Sequence, residues 1–505
     1  MLIRNLLKLL VKYNTKPKPD SKKESSPVQI KAKATDNTNA VKQILSNPTD
    51  LIIREIKTGS GLPCAIACID GMVDKVIVND QLIRSLQLHT AKSFEEKEIL
   101  PLQEVSHANT LDDAILSILS GDTLLFVDGF DYAFVIGSKG WKSRSVQEPQ
   151  TEALIRGPRD GFTEDILTNT ASIRRRIRDP HLRFDAYKIG RRSKRDVVVA
   201  YIDGIVHPEL VKEVKRRLET FDVDDPEGSG AIEQWLMDDY LSPFPQILST
   251  ERPDKLASGL VQGRVAIIVD GTPFQLIMPI TLITSFQSPE DFYQNWMITT
   301  LIRMLRMLAA FIATFLPALY IALVEFHHGM LPSKLAFSIA GAREGVPFPA
   351  FMEAFVMEAT LELLREAGIR LPKPIGQTIG IVGGLVIGEA AVQAGIVSPI
   401  MVIVVAITAI ASFSLPSYSI SISLRTIRFG VMIAAALFGL YGIILAYIML
   451  NIHIVNLRSF GIPYSTPFAP LFLKDFKDVI LRAPITQMDE RPQTLQTKDM
   501  DRMEK

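Results

Sequence analysis

Five carboxylates stand where the surrounding residues are apolar: Glu353, Glu358, Glu362, Glu366 and Glu389, all in the second half of a 505-residue chain. A carboxylate inside a membrane segment costs at least ~2.5 kcal/mol on insertion scales, so it turns toward a bundle interior, a wet cavity or a counter-charge. The chemistry open to such a row is cation passage or pairing with basic groups. In "PFPAFMEAFVMEATLELLREAGIRLP", Glu358, Glu362 and Glu366 recur every fourth residue, which stacks them one turn apart on a helix face. Phe351, Met352, Phe355, Val356, Ala359 and Leu363 form apolar surface at helical spacing. Like charges in a column repel, and Arg365 relieves them only in part. This acidic helix, expected over residues 349–367, could lie on the membrane surface, cross as a conduit wall inside an oligomer, or pack on a soluble partner.

Glu389 sits in "IGIVGGLVIGEAAVQAGIVSP", directly after a series of glycines. Gly376, Gly380, Gly383, Gly384 and Gly388 recur mostly at spacings of three and four, giving a side-chain-free stripe on which another helix backbone can pack. The segment is expected to face protein, with Glu389 at an inter-subunit or pore-adjacent cavity.

Other chemistry finds little support. Asp70, Asp128, Asp203 and Asp270 each precede a glycine after a β-branched or aliphatic run, the pattern of a strand closed by a tight turn. Cys64 and Cys68 have no second pair with which to build a zinc site and read as small side chains in a buried strand. "GSKGWK" lacks the spacing of a phosphate-cradling loop, and nothing supplies a nucleophile with its base. The expectation is a protein that is not an enzyme and carries no cofactor or metal. The 55 basic and 55 acidic side chains balance, which argues against a nucleic-acid-binding surface.

The elements that would position these residues fall into two halves. In the first, "ACIDGMV" matches "AYIDGIV", and "LFVDGFDYAF" echoes "IIVDGTPFQL". Helical patterns lie between, so two similar α/β subdomains arising by duplication are expected at residues 47–145 and 195–298. A basic N-terminal segment and linker, residues 1–46, precede them. Between them residues 146–194 read as a basic connector, with Arg174, Arg175, Arg176, Arg178, Arg191 and Arg192 forming a solvated face or a contact for anionic headgroups or an acidic partner.

After residue 299 the chain reads as an α-helical integral membrane domain of four or five helices, up to residue 460. Spans are expected at about 305–325, 376–397, 398–416 and 428–450, each near the ~20 residues that cross a bilayer core. Pro317 should kink the first. The positive-inside rule favours five crossings, with the acidic helix among them and the C-terminus outside, over four. Residues 461–505 read as a polar, mobile tail.

Three stretches carry a resemblance: "LIRGPRDGFTEDILTNTASIRRRI", "REGVPFPAFMEAFVMEATLELLREAGIRLPKPIGQTIGIVGGLVIGEAAVQAGIVSP" and "SFSLPSYSISISLRTIRF". Over about residues 45–480 the chain resembles the A subunit of GerA-type spore germination receptors, with Asp160 where that pattern has Glu. The resemblance implies an integral protein of the inner membrane of a bacterial endospore, its soluble region on the cytoplasmic, spore-core side. The implied partners are a permease-like B subunit, a lipoprotein C subunit and further copies of the chain. The implied role is relaying nutrient detection to ion release. The rivals are a membrane-anchored assembly scaffold and a secondary transporter, although no internal membrane repeat supports the latter.

Overall fold

The computed structural model describes residues 28–88, 90, 104–140, 148–372, 383–384 and 386–503. The basic N-terminal segment, Gly376 and Gly380 lie outside the described residues.

Each α/β unit begins with a helix. In the first, α1 (Ala34–Leu45) is followed by β1 (Leu51–Lys57), β2 (Pro63–Ile69), β3 (Val105–Ala108), α2 (Leu111–Leu119), β4 (Thr123–Val127) and β5 (Ala133–Ile136). All its neighbours pair antiparallel, in the order β1-β2-β4-β5-β3. The second unit runs α3 (Ile166–Arg176), β6 (Leu182–Ile189), β7 (Arg195–Ile202), α4 (Pro208–Glu219), β8 (Leu248–Thr250), α5 (Pro253–Val261), β9 (Val265–Val269) and β10 (Gln275–Met278). Its antiparallel sheet has the order β6-β7-β9-β10-β8, the same path strand for strand.

The repeat expected from the Asp-Gly phrases is therefore present, and its second copy starts earlier than residue 195. The stretch read as a basic connector supplies α3 and β6, and β6 pairs with β7 along its whole length. In "LRFDAYKI" Asp185 is half-buried and Lys188 exposed, while Arg183 is buried and donates to Leu45 O and Pro180 O.

The four aspartates do turn work. Gly71, Gly129, Gly204 and Gly271 all have positive φ, between 76° and 96°, a conformation glycine adopts without a Cβ penalty. Asp70 and Asp203 each accept from the N–H of the following glycine. Asp128 accepts from Ala34 N at 2.7 Å and Asp270 from Ile166 N at 3.2 Å, so each seats the first residue of its own unit's leading helix. Cys64 and Cys68 lie buried in β2; burial, with Asp128 and Asp70 nearby, pushes their thiols up to about 12 and about 11, which leaves them unreactive.

The helical region opens with α6 (Trp296–Glu325), continues through the short helix Ser333–Arg343 to α7 (Ala350–Arg370), and ends with α8 (Pro399–Phe413) and α9 (Tyr418–Asn456). Two of these, α6 and α9, are long and apolar enough to cross a membrane. Pro317 lies inside α6.

Helix α9 is not one straight rod. Gly439, at φ 60° and ψ −138°, breaks it into legs 418–438 and 440–456. Ser423 on the first leg donates to Pro243 O, and His453 on the second bonds Ser242. A straight helix would set those positions about 45 Å apart, yet they grip adjacent residues of one loop. The turn lies at the opposite end of the bundle, where a Cβ on Gly439 would come within 2.8 Å of the His327 ring. The span expected at 428–450 is thus the tip of a helical hairpin.

The described part of the tail packs on the second α/β unit. Tyr464 is fully buried in the core of the second unit, Lys498 N donates to Ile205 O, and Arg491 Nε donates to Val261 O. The chain leaves the α/β units along α6 and comes back to them at the end of α9, so the tail and the α/β units share a side. The five-crossing layout expects them on opposite sides, and the packing of the tail on the second unit departs from that expectation.

Candidate functional site

Two features meet in the helical region: an ion-paired centre and a joint to the second α/β unit. Helix α7 runs from the far end, where Phe351 N donates to Glu325 Oε1 at 2.9 Å, back toward the α/β units. This direction brings its carboxylates to arginines of α9. Glu358 and Arg428, both 1% exposed, are 3.0 Å apart. Glu362 receives Arg365 at 2.8 Å, Arg425 at 3.2 Å and Arg428 at 3.3 Å. The column of like charges is thereby relieved by Arg365 on the same helix and by Arg425 and Arg428 from α9, with two carboxylates facing three guanidinium groups. Arg365 also lies 5.0 Å over the Phe413 ring, tying the end of α8 to the same cluster.

Glu353 does different work. Buried at 1% exposure, it accepts from Arg343 Nε at 3.1 Å and from Ser398 N at 2.8 Å, so one carboxylate closes the short helix onto α7 and seats the start of α8. A carboxylate at a helix N-terminus meets the free N–H groups and the positive end of the dipole. Glu366 is exposed and pairs with Arg370 at i,i+4. Glu389 is exposed on the surface of the single chain, with Gln393 donating to it at 3.1 Å. Of the glycine stripe, Gly388 is buried and packs toward Val402, and Gly383 sits against Leu364.

The six arginines of the expected connector scatter. Arg174 is sealed between the two α/β units, donating from Nε and Nη2 to Asp50 at 2.8 and 3.1 Å and stacking over Phe184. Arg176 pairs with Asp160, Arg191 with Asp222 and Arg192 with Asp224 at the surface. Arg175 and Arg178 are exposed.

The joint is a shared core. Leu415, Ile420, Leu424 and Leu457 of the helical region pack in one cluster with Phe162, Leu182, Phe244 and Ile280 of the second unit. Phe244 stacks on His453, and Arg303 at the root of α6 binds Asp291 at 2.9 Å and Asp478 of the tail at 2.8 Å. Among the described residues no group of His, Cys, Asp and Glu side chains is arranged to hold a metal ion.

The profile of the Bacillus/Clostridium GerA spore germination protein family matches residues 39–494. The chain belongs to that family. It is similar to spore germination protein GerLA of Bacillus cereus, 52% identical over 466 residues covering 91% of this chain and 95% of the relative. Spore germination protein KA of Bacillus subtilis is 44% identical over 488 residues, 95% of this chain and 90% of the relative. A crystal structure of the N-terminal domain of the A subunit of the Bacillus megaterium spore germinant receptor GerK3 is 35% identical, covers 50% of this chain and 97% of that one, and aligns with a TM-score of 0.41.

In this GerA family member sequence reading found the carboxylates and missed what they bind. Two of the partners are Arg425 and Arg428 of α9. Their spacing of three, within a segment about to turn apolar, is the signal that they share one helix face. Ser242, Pro243 and His453 carry no sequence signal, because their role comes from the hairpin.

Proposed function

We propose that the chain is the A subunit of a nutrient germinant receptor and that it relays a signal from its α/β units to its membrane helices. Its partners on this reading are a permease-like B subunit, a lipoprotein C subunit and further copies of itself, in the inner membrane of the endospore with the α/β units on the core side. The observation that carries the relay is the single apolar core joining the second α/β unit to both ends of the α9 hairpin. A shift of that unit has no soft linker in which to dissipate.

The carboxylate row favours coupling over conduction within one chain. Glu358 and Glu362 are spent on three arginines, so the centre of the bundle is not a bare cation-attracting wall. Among the described residues Glu389 has no ion-pair partner, it lies at the surface of the chain, and it is the carboxylate we assign to a contact with a neighbouring subunit or to a path formed between subunits.

The test is nutrient-triggered cation release from spores of the source organism. Removing the chain should abolish release for at least one nutrient, and restoring it should recover the response; undiminished release for every nutrient would sink the reading. Glu389→Leu, with membrane-inserted protein held equal, should slow release. A normal rate would remove Glu389 from the path and leave the scaffold reading in its place.

A further inference from the structure

Among the described residues, a buried cation of the second α/β unit has no ion-pair partner. Arg264, 7% exposed, follows α5 and lies at the tail junction. Its Nη2 donates to the neutral hydroxyl of Thr284 at 3.1 Å, and its Nε has no partner. Burial pulls its guanidinium down to about 10. An uncompensated buried charge is among the most costly features a fold can carry.

The guanidinium stands where two cavities meet. One, of about 100 Å³, lies under the tail; the other, of about 190 Å³, runs along α5. Both are lined by Gln262, Arg264, Thr284, Gln287 and Arg502. Each exceeds the roughly 30 Å³ that one water occupies in the liquid.

The carboxylates lining these cavities are engaged elsewhere. Asp475 accepts from Gln493 N and Thr494 N, and Asp478 pairs with Arg303. Asp489 pairs with Lys477 and Glu490 with Lys474, while Asp254 holds Arg252. Two guanidinium groups thus border a polar space from opposite elements, Arg264 from the α/β unit and Arg502 from the tail.

We propose that this junction binds a small oxyanion, a carboxylate or a phosphate, between Arg264 and Arg502. Gln262 lines the space with an amide donor, and the Gln287 amide, which already donates to Asp478 O, keeps a second N–H for the ion's oxygens. Because one arginine belongs to the tail, the bound ion clamps the tail onto the unit that shares its core with the membrane helices. This inference does not depend on the nutrient or the partners.

The test uses the full chain in detergent at matched ionic strength in chloride, acetate or phosphate, reading hydrogen exchange over residues 474–502 and the thermal midpoint. In the wild type, acetate or phosphate should slow tail exchange at least about threefold in a saturable way. Arg264→Met should abolish the effect and Arg502→Gln should weaken it. In chloride, Arg264→Met should unfold no earlier than wild type, because it removes a buried unpaired charge. An effect of acetate alone assigns a carboxylate ligand, and an effect of both ions assigns a general oxyanion site. Equal slowing in Arg264→Met would mean that the salts act on the whole surface. A midpoint for Arg264→Met clearly lower in chloride would make the guanidinium a structural donor. Either result, or no slowing at all in the wild type, overturns the proposal.

Discussion

Glu358 and Arg428 meet 3.0 Å apart between α7 and α9, each with only 1% of its side chain exposed. The pair is incompletely satisfied, since Glu358 Oε1 and Arg428 Nε have no hydrogen-bond partner. Breaking such a pair from one side strands a charge, which costs about 3–5 kcal/mol, whereas replacing both partners by apolar residues is often neutral. Glu358→Ala alone should therefore sharply lower the amount of folded, membrane-inserted protein. The Glu358→Met, Arg428→Met double variant should recover most of it. Quantifying inserted protein beside denaturant unfolding checks both, and a double variant as poor as the single would show that the charges themselves are required.

Arg174 and Asp50 make the same point in the soluble half. Their contact joins the first α/β unit to the leading helix of the second, with Arg174 fully sealed. Arg174→Met should destabilise the chain by about 3–5 kcal/mol by leaving Asp50 alone. Arg191→Gln and Arg192→Gln, whose partners are at the surface, should leave the unfolding midpoint at the wild-type value. Comparing the three midpoints separates the buried clamp from the surface pairs that the sequence grouped with it.

The difference between those arginines shows what the sequence could and could not tell. Strand-then-Asp-Gly is a local pattern with a local cause, so the duplicated sheets were legible from four short phrases. The start of the second unit was hidden because ten basic residues between Arg174 and Arg195 dominate the reading of that stretch, although Asn37-Thr38 and Asn169-Thr170 mark equivalent places in the two leading helices. Each asparagine staples the residue six positions before it, Lys31 or Thr163, through both its N–H and its C=O. The carboxylate row was legible by composition; its partners on α9 depend on how helices pack, which spacing along one segment does not encode. The tail looked mobile because charge and proline are the signature of disorder, yet Tyr464, Arg491 and Lys498 each find a site on the second unit.

Glu233 gives the soluble half a pH dependence. It is mostly buried in the helix Ser229–Leu236, and burial raises its carboxyl from the ordinary 4.5 to about 7. Below pH 4.5 the folded and unfolded chains both hold this proton. Between 4.5 and about 7 only the folded chain keeps it, so the Glu233 contribution to stability is lost as pH rises through that window. The loss is on the order of 3 kcal/mol. Glu233→Gln should flatten the fall and leave the variant more stable than wild type at pH 8 and no more stable at pH 4. Denaturant midpoints at those two pH values check the sign, and parallel pH profiles for the two proteins would show that Glu233 does not titrate in this range.

The α9 hairpin yields the most direct test of the architecture. Apolar length cannot distinguish one span at 428–450 from the tip of a hairpin, because both need an unbroken hydrophobic run. Gly439 decides between them, since its φ of 60° with ψ of −138° lies outside the helical region and the space beside its Cα is filled by Phe326 and His327. Spin labels at the exposed positions Ile422 and Ile452 report on the two legs. In a straight helix they would stand about 45 Å apart; folded at Gly439 they should fall below about half that distance. Gly439→Ala must both adopt a disfavoured backbone, costing on the order of 1–3 kcal/mol, and displace the His327 ring. It should broaden or lengthen the measured distance and reduce inserted protein. A distance near 45 Å in the wild type would refute the hairpin, and with it the placement of the tail beside the α/β units.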